Sequence, residues 1–249
     1  MSSNDITAVL NVFKRPHVIE EQILALRNQT KPPKQIIIWH NSVEGYDIPE
    51  KIKNDKSLII FTSNKNLGVW PRFAGALLAN TEFICIFDDD TIPGNEWFEN
   101  CLNTMNKVNG LLGTVGLVFN KNPKHYLDWY VKDRVGWPNP NKEIVQVDLV
   151  GHSWFLRRSW LPELFKIVPN YDDLFITGED MGLSYALQKI GINTYVPPHP
   201  PDNLELYGSN PKKALEYGTE KVAISQNYVN FNSMFFYYKK LGFKFIKDM

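Results

Sequence analysis

The chain is poor in cysteine, in net charge and in long apolar runs. Of its 249 residues only Cys85 and Cys101 are cysteines, one in an apolar run and one in an expected helix. A disulfide framework is therefore excluded, and both thiols read as reduced and structural. The 27 basic and 27 acidic residues cancel. No global field draws the molecule to nucleic acid or anionic lipid, so no nucleic-acid partner is expected. No run approaches the ~20 apolar residues that a bilayer-spanning helix needs. The opening MSSNDITAVLNVF lacks the basic flank and apolar core of a signal peptide, which makes cytoplasmic the expected location. Without such a signal the sequon Asn28-Gln29-Thr30 carries no weight. There is no G-x-x-x-x-G-K-[ST] segment, no internal repeat and no low-complexity tract.

What is present is an alternation of apolar runs with helical patterns. Ile6 to Phe13, Gln35 to Trp39, Leu58 to Phe61 and Phe83 to Phe87 read as strands. Helical spacing follows Pro16 (Ile19, Ile23, Leu26) and covers Pro71 to Ala79. The runs QIIIW and FICIF are continuously apolar, as strands of a parallel sheet buried on both faces must be. The expected fold class is α/β, a mostly parallel central sheet flanked by helices. Beyond residue 110, Thr114 to Phe119 and Ile144 to Val150 read as strands around a polar loop, Asn120 to Asn141, and Trp154 to Leu156 extends the second past Gly151. A helix starts near Glu179 and a short strand covers Asn193 to Val196. After Pro197 to Pro201 the composition changes to a polar and then aromatic tail.

Ligands bind parallel sheets at the carboxyl ends of the strands, and polar clusters follow those ends here: Lys14-Arg15, His40 to Ser42, Asn64 to Asn66, and Asp88-Asp89-Asp90. Three carboxylates after FICIF repel one another unless a cation sits among them. Alternate residues of an extended segment point the same way, so Asp88 and Asp90 can share a hard cation, Mn²⁺ or Mg²⁺, completed by phosphate oxygens. The plainer reading is a solvated turn in which Asp90 caps a helix opened near Pro93.

An apolar strand ending in D-x-D resembles the metal motif of the GT-A glycosyltransferases, family 2 above all. Three further blocks resemble that family in the same order: ITAVLNVFKRP, NKNLGVWPRFAGALLAN and GEDMGLSYALQKIGINTYVPPHP. The resemblance spans roughly residues 6–200. It implies a Rossmann-like GT-A catalytic domain over 1–200. The donor half is about 1–110, and the acceptor half, about 111–200, contains a small antiparallel sheet. A C-terminal extension over 201–249 packs on that domain. Asn11, Phe13, Arg15, Asn41, Asn66, Arg72, Asp88 and Asp89 form the implied donor side. Asn41 stands where relatives often carry an aspartate for the nucleotide base, a departure that leaves UDP less securely implied. Asp88 and Asp90 hold the metal, and His199 stands where a late histidine can complete its shell.

Asp180 of the Gly178-Glu179-Asp180 block is the implied base and Glu179 an acceptor-binding or orienting neighbour. A capping box from Thr177 to Asp180 explains the same residues without catalysis. Sugars stack on aromatic faces, so His152 and Trp154 are read as acceptor-pocket residues, while Arg72 can grip a diphosphate. The expected activity is metal-dependent transfer from a nucleotide-diphosphate sugar, with UDP favoured, to a glycan or glycoconjugate hydroxyl with inversion. WHN and GED also resemble, more loosely, the retaining exostosin-like family 64. A non-catalytic sugar- or nucleotide-binding GT-A protein is the alternative from another class. Nucleotidyl transfer is disfavoured because FKRPH lacks glycine. The aromatic tail, Phe231 to Phe245, can pack on the domain, form an oligomer contact or touch a membrane surface.

Overall fold

A computed structural model describes residues 5–120, 132–167, 177–220 and 228–249. Nine strands form one sheet: β1 (Ile6–Val12), β2 (Gln35–Asn41), β3 (Leu58–Ser63), β4 (Phe83–Phe87), β5 (Leu111–Phe119), β6 (Lys132–Gly136), β7 (Val145–Val147), β8 (Leu149–Arg157) and β9 (Thr194–Val196). The order is β3-β2-β1-β4-β8-β5-β9-β7, with β6 beside β5. β3, β2, β1 and β4 are mutually parallel. β8 then runs antiparallel to both β4 and β5. The antiparallel half is thus continuous with the parallel half, β8 being the seam.

The helices are α1 (Ile19–Arg27), α2 (Glu50–Lys53), α3 (Pro71–Ala76), α4 (Trp97–Val108), α5 (Pro162–Phe165), α6 (Glu179–Gln188), α7 (Pro211–Gly218) and α8 (Tyr228–Leu241). Alternation along the strands supplies two cores, one per face of the sheet. Ala8, Leu10, Ile36, Ile38, Cys85 and Phe87 pack with Ile23 and Leu26 of α1 and Phe98 and Cys101 of α4. Val9, Ile37, Ile84, Ile86 and Trp154 pack with Phe73 of α3, Leu183 of α6 and Phe235 of α8. Both cysteines are buried and free, and burial pushes their thiols well above the ordinary range.

Several boundaries differ from expectation. α1 starts at Ile19, with Pro16 in the preceding turn, and α3 stops at Ala76. The run read as one strand over Ile144 to Val150 divides at Asp148 into β7 and β8. The Asp148 carboxylate accepts backbone N–H groups from Phe119 (2.6 Å) and Ile246 (2.6 Å), a non-local arrangement that turns the chain there. Residues 121–131 of the expected polar loop lie outside the described residues, and Lys132–Gly136 of it forms β6. No described helix is long and apolar enough to cross a membrane. Phe235, Tyr238, Phe243 and Phe245 of the tail are buried, while Phe236 and Leu241 stay exposed.

Candidate active site

The Asp triplet leaves the end of β4, and the seam strand fixes its path. Phe87 pairs with Ser153, so His152 stands opposite the first aspartate. The His152 carbonyl accepts both the Asp88 N–H (3.0 Å) and the Thr91 hydroxyl (3.0 Å). From α1 the buried Gln22 amide donates to the carbonyls of Asp88 (2.8 Å) and Thr91 (3.0 Å). The turn is thereby locked before any ligand arrives. His152 takes φ of +64°, a conformation unfavourable for a side-chain-bearing residue and characteristic of functional positions. Ligand atoms of Asp88, Asp90 and His152 lie within 4.8 Å of one another. Asp90 Oδ1 and His152 Nδ1 are buried and have no hydrogen-bond partner. Two carboxylates, an imidazole and two unused buried acceptors fit a divalent cation.

Two arginines compensate the acidic cluster. Arg15 Nη1 donates to Asp89 Oδ1 at 2.5 Å and lies 3.6 Å from Asp90, while its Nε lies 3.6 Å from Glu220. Arg72, with a side chain only 3% exposed, donates to Asp88 Oδ1 (2.5 Å) and to Glu179 Oε1 (2.7 Å). Its guanidinium also rests over the Trp154 ring, 4.8 Å from the centroid. Burial pushes Asp89 up to about 6, assisted by Asp90 and Asp88 and opposed by Arg15. Asp90 is raised by burial too, with His152 opposing.

Glu179 and Asp180 open α6 behind Gly178, and no side chain caps that helix. The capping-box reading therefore fails, and the acids are left for other work. Glu179 is tied to Arg72. Asp180 has no salt bridge among the described residues, and its carboxylate lies against Gly151, where an added Cβ would stand 3.2 Å from Oδ2. Any larger residue at 151 would crowd that carboxylate by a few tenths of an ångström. Burial, then the charges of Glu179 and Asp88, hold the Asp180 carboxyl well above the usual carboxylate range, against Arg72.

The other residues read from the sequence divide clearly. His199 is fully buried between Trp97 and Tyr207, and is no part of the cation-sized group. Its Nδ1 faces the Pro197 carbonyl at 2.8 Å and its Nε2 accepts the Gly208 N–H at 3.4 Å. Both nitrogens are used, and burial pulls its pKa down to about 4, so its assignment to the metal is corrected to a structural one. Trp154 is likewise no pocket wall: it is fully buried, bonded to the Val150 carbonyl (3.0 Å) and packed on Phe73. Its outward neighbour His152 faces the site instead. Arg72 spans two carboxylates and is not free for a diphosphate in this state. Asn41 is buried and shapes the 66–68 loop, donating to the Gly68 carbonyl (2.9 Å) and accepting the Leu67 N–H (3.2 Å). Asn66 closes the same loop onto the Gly68 N–H (2.9 Å). Asn11, near the end of β1, keeps a buried Oδ1 without a partner, and Phe13 beyond it is half-buried under the Lys14 ammonium.

Sequence reasoning missed Gln22, Trp137 and Glu220. Gln22 reads as a polar residue in a helix, and only the packing of α1 beneath the triplet reveals its bonds. Trp137 stacks edge-on against His152, with ring centroids 6.0 Å apart. Glu220 sits more than 200 residues from the arginine it meets, a separation that no local pattern encodes.

The comparisons with known proteins agree with this geometry. No curated protein sequence matches this chain at the same stringency. Among solved structures, S. aureus TarS 1-349 in complex with UDP is similar in fold, with a TM-score of 0.52 at 15% identity. The match covers 77% of this chain and spans 60% of that one. The sequence model described as Glycosyl transferase family 2 matches residues 7–165, which is well over half of the molecule. The match takes in β2 to β8 and all but the first residue of β1, both arginines, the Asp triplet and the seam, while β9 and Glu179-Asp180 lie beyond it, and the chain therefore belongs to glycosyl transferase family 2.

Proposed function

We propose that this enzyme transfers a glycosyl group from a UDP-sugar to a hydroxyl of a glycan or glycoconjugate, with inversion, using Mn²⁺ or Mg²⁺ held by Asp88, Asp90 and His152. The observation that carries the reading is the division of labour among the acids. Asp88, Asp90 and His152 converge within 4.8 Å, while Asp180, outside that group and with no salt bridge among the described residues, is raised by burial and by Glu179 and Asp88. When bound, the divalent ion neutralises charge that builds on the departing diphosphate.

The chain's own residues do the rest. Arg15 and Asp89 border the donor phosphates. Asp180 accepts the proton of the acceptor hydroxyl, whose oxygen attacks the anomeric carbon as the bond to the diphosphate breaks on the opposite face. Glu179, neutralised by Arg72, stays out of that proton transfer and orients the acceptor. TarS, solved with UDP, supports the choice of nucleotide by likeness of fold.

The test is thermal unfolding against a panel of nucleoside diphosphates and sugar nucleotides, with Mn²⁺, with Mg²⁺ and with chelator. A ligand at about 100 times its dissociation constant stabilises the native state by about 2.7 kcal/mol. A metal-dependent rise with uridine nucleotides, lost in Asp88→Asn and Asp90→Asn, is expected. A rise unaffected by chelator would remove the metal from the reading, and a rise only with another base would remove UDP.

A further inference from the structure

Trp137 is an aromatic side chain outside the sequence-derived set that borders this site. It follows β6 on a tight turn, in which Gly136 and Asn139 exchange backbone hydrogen bonds of 3.1 and 3.0 Å. Gly136 takes φ of +106°, and a Cβ there would run into the Thr114 carbonyl on β5. The turn is therefore pressed onto the sheet, which fixes where the next side chain stands.

The Trp137 ring meets His152 at an interplanar angle of 84°. This edge contact covers only part of the indole, and the residue stays partly exposed. Its Nε1–H is nevertheless buried, and neither it nor the facing His152 Nδ1 has a hydrogen-bond partner among the described residues. A sheltered donor beside an open aromatic surface is poorly served by water alone. Gly151, adjacent to His152, carries the Asp180 carboxylate. Trp137 and Asp180 thus meet two consecutive residues of β8, the first at His152 and the second at Gly151.

Saccharides are the alcohols that match such a surface. A pyranose offers a flat face of C–H groups to an aromatic ring. An open-chain polyol or a lipid alcohol offers no such face. We propose that Trp137 is the platform of an acceptor subsite, taking the C–H face of a pyranose on the exposed part of its ring, so that the acceptor is a sugar ring. This rests on the reading of Asp180 as the base beside it.

Saturation-transfer NMR tests it without needing turnover. The wild type, Trp137→Phe and Trp137→Ala are mixed with methyl glycosides of glucose, galactose, mannose and N-acetylglucosamine, in the presence of UDP and Mn²⁺. At least one glycoside is expected to receive saturation on the protons of one ring face. Trp137→Ala should reduce that signal by roughly three- to tenfold, and Trp137→Phe should keep most of it. The UDP- and Mn²⁺-dependent thermal shift should stay the same in all three proteins.

Equal saturation in wild type and Trp137→Ala, or none with any pyranoside while glycerol or ribitol binds, overturns the platform. So does a loss confined to the metal-dependent shift, because Trp137 then only props His152. Absence of the UDP shift from the wild type would strike the donor reading instead and leave the saturation result to stand alone.

Discussion

Glu179 and Asp180 are neighbours in sequence with opposite surroundings. The first is paired with a buried guanidinium 2.7 Å away, and the second faces a glycine and is raised by burial and by the charges around it. A base works only when ionised, so turnover should fall as pH drops through that raised pKa. The acid limb of kcat is expected above the ordinary carboxylate range. Asp180→Asn should cut kcat by about 10²- to 10⁴-fold while keeping the nucleotide-induced thermal shift. An acid limb in the ordinary carboxylate range, or full transfer by the variant, would remove Asp180 from the role. The sign for stability follows from the same shift. The folded pKa exceeds the unfolded one, so ionising Asp180 costs stability: the cost is absent below the unfolded value and grows as pH rises towards the folded one. At this scale the sequence was readable where chemistry is local. Three carboxylates after an apolar strand point to a cation or a solvated turn, and the structure gathers Asp88 and Asp90 with His152 within 4.8 Å. His199 and Trp154 were misread because their roles depend on burial by Trp97, Tyr207 and Phe73, which no neighbouring residue encodes.

Among the elements, α7 has the least expected position. Its Tyr217 hydroxyl meets Glu21 of α1 at 2.5 Å, Lys213 lies 3.3 Å from the same carboxylate, and Gly218 stands beside Asp90. Just beyond its end, Glu220 reaches both His17 (3.1 Å) and Arg15 (3.6 Å). A carboxylate thus holds an arginine that the proposed function sets beside the donor diphosphate. Glu220→Gln removes this competitor. Since Glu220 is partly exposed and its charge is screened, the gain is modest: the half-saturating concentration of nucleoside diphosphate should fall roughly two- to fivefold. Titration calorimetry reads this directly, and unchanged or weaker binding would show that Glu220 does not compete. The early strands were legible because a parallel strand buried on both faces leaves an unbroken apolar run. The contacts of α7 were not, because its polar residues look like any solvated helix until α1 is placed against them.

For the whole molecule, the two halves of the sheet share cores on both faces, and the tail completes one of them. Met234, Phe235, Phe243 and Phe245 are each at most 5% exposed within the same cluster as Ile84, Trp154 and Leu183. At about 1.5–3 kcal/mol per buried side chain, these four are worth about as much as the ~5–15 kcal/mol by which a domain is stable. A chain ending at residue 227 is therefore expected to show no cooperative thermal transition by circular dichroism. A sharp transition near that of the intact chain would mean that the cluster closes without α8. The α/β class and the change at residue 110 were legible from hydrophobic pattern. The single sheet was not, because the pairing of β4 with β8 joins residues some 70 positions apart.

That pairing also limits how such enzymes can be recombined. The Asp triplet comes from the first half of the chain and Asp180 from α6, yet both lean on two consecutive residues of β8: the triplet on the carbonyl of His152, Asp180 on the bare backbone of Gly151. A chimera spliced at residue 110 would inherit the aspartates from one parent and their support from the other. A hybrid that respects the chemistry must transplant β8 together with the donor half, although the chain reaches that strand only after the acceptor half has begun.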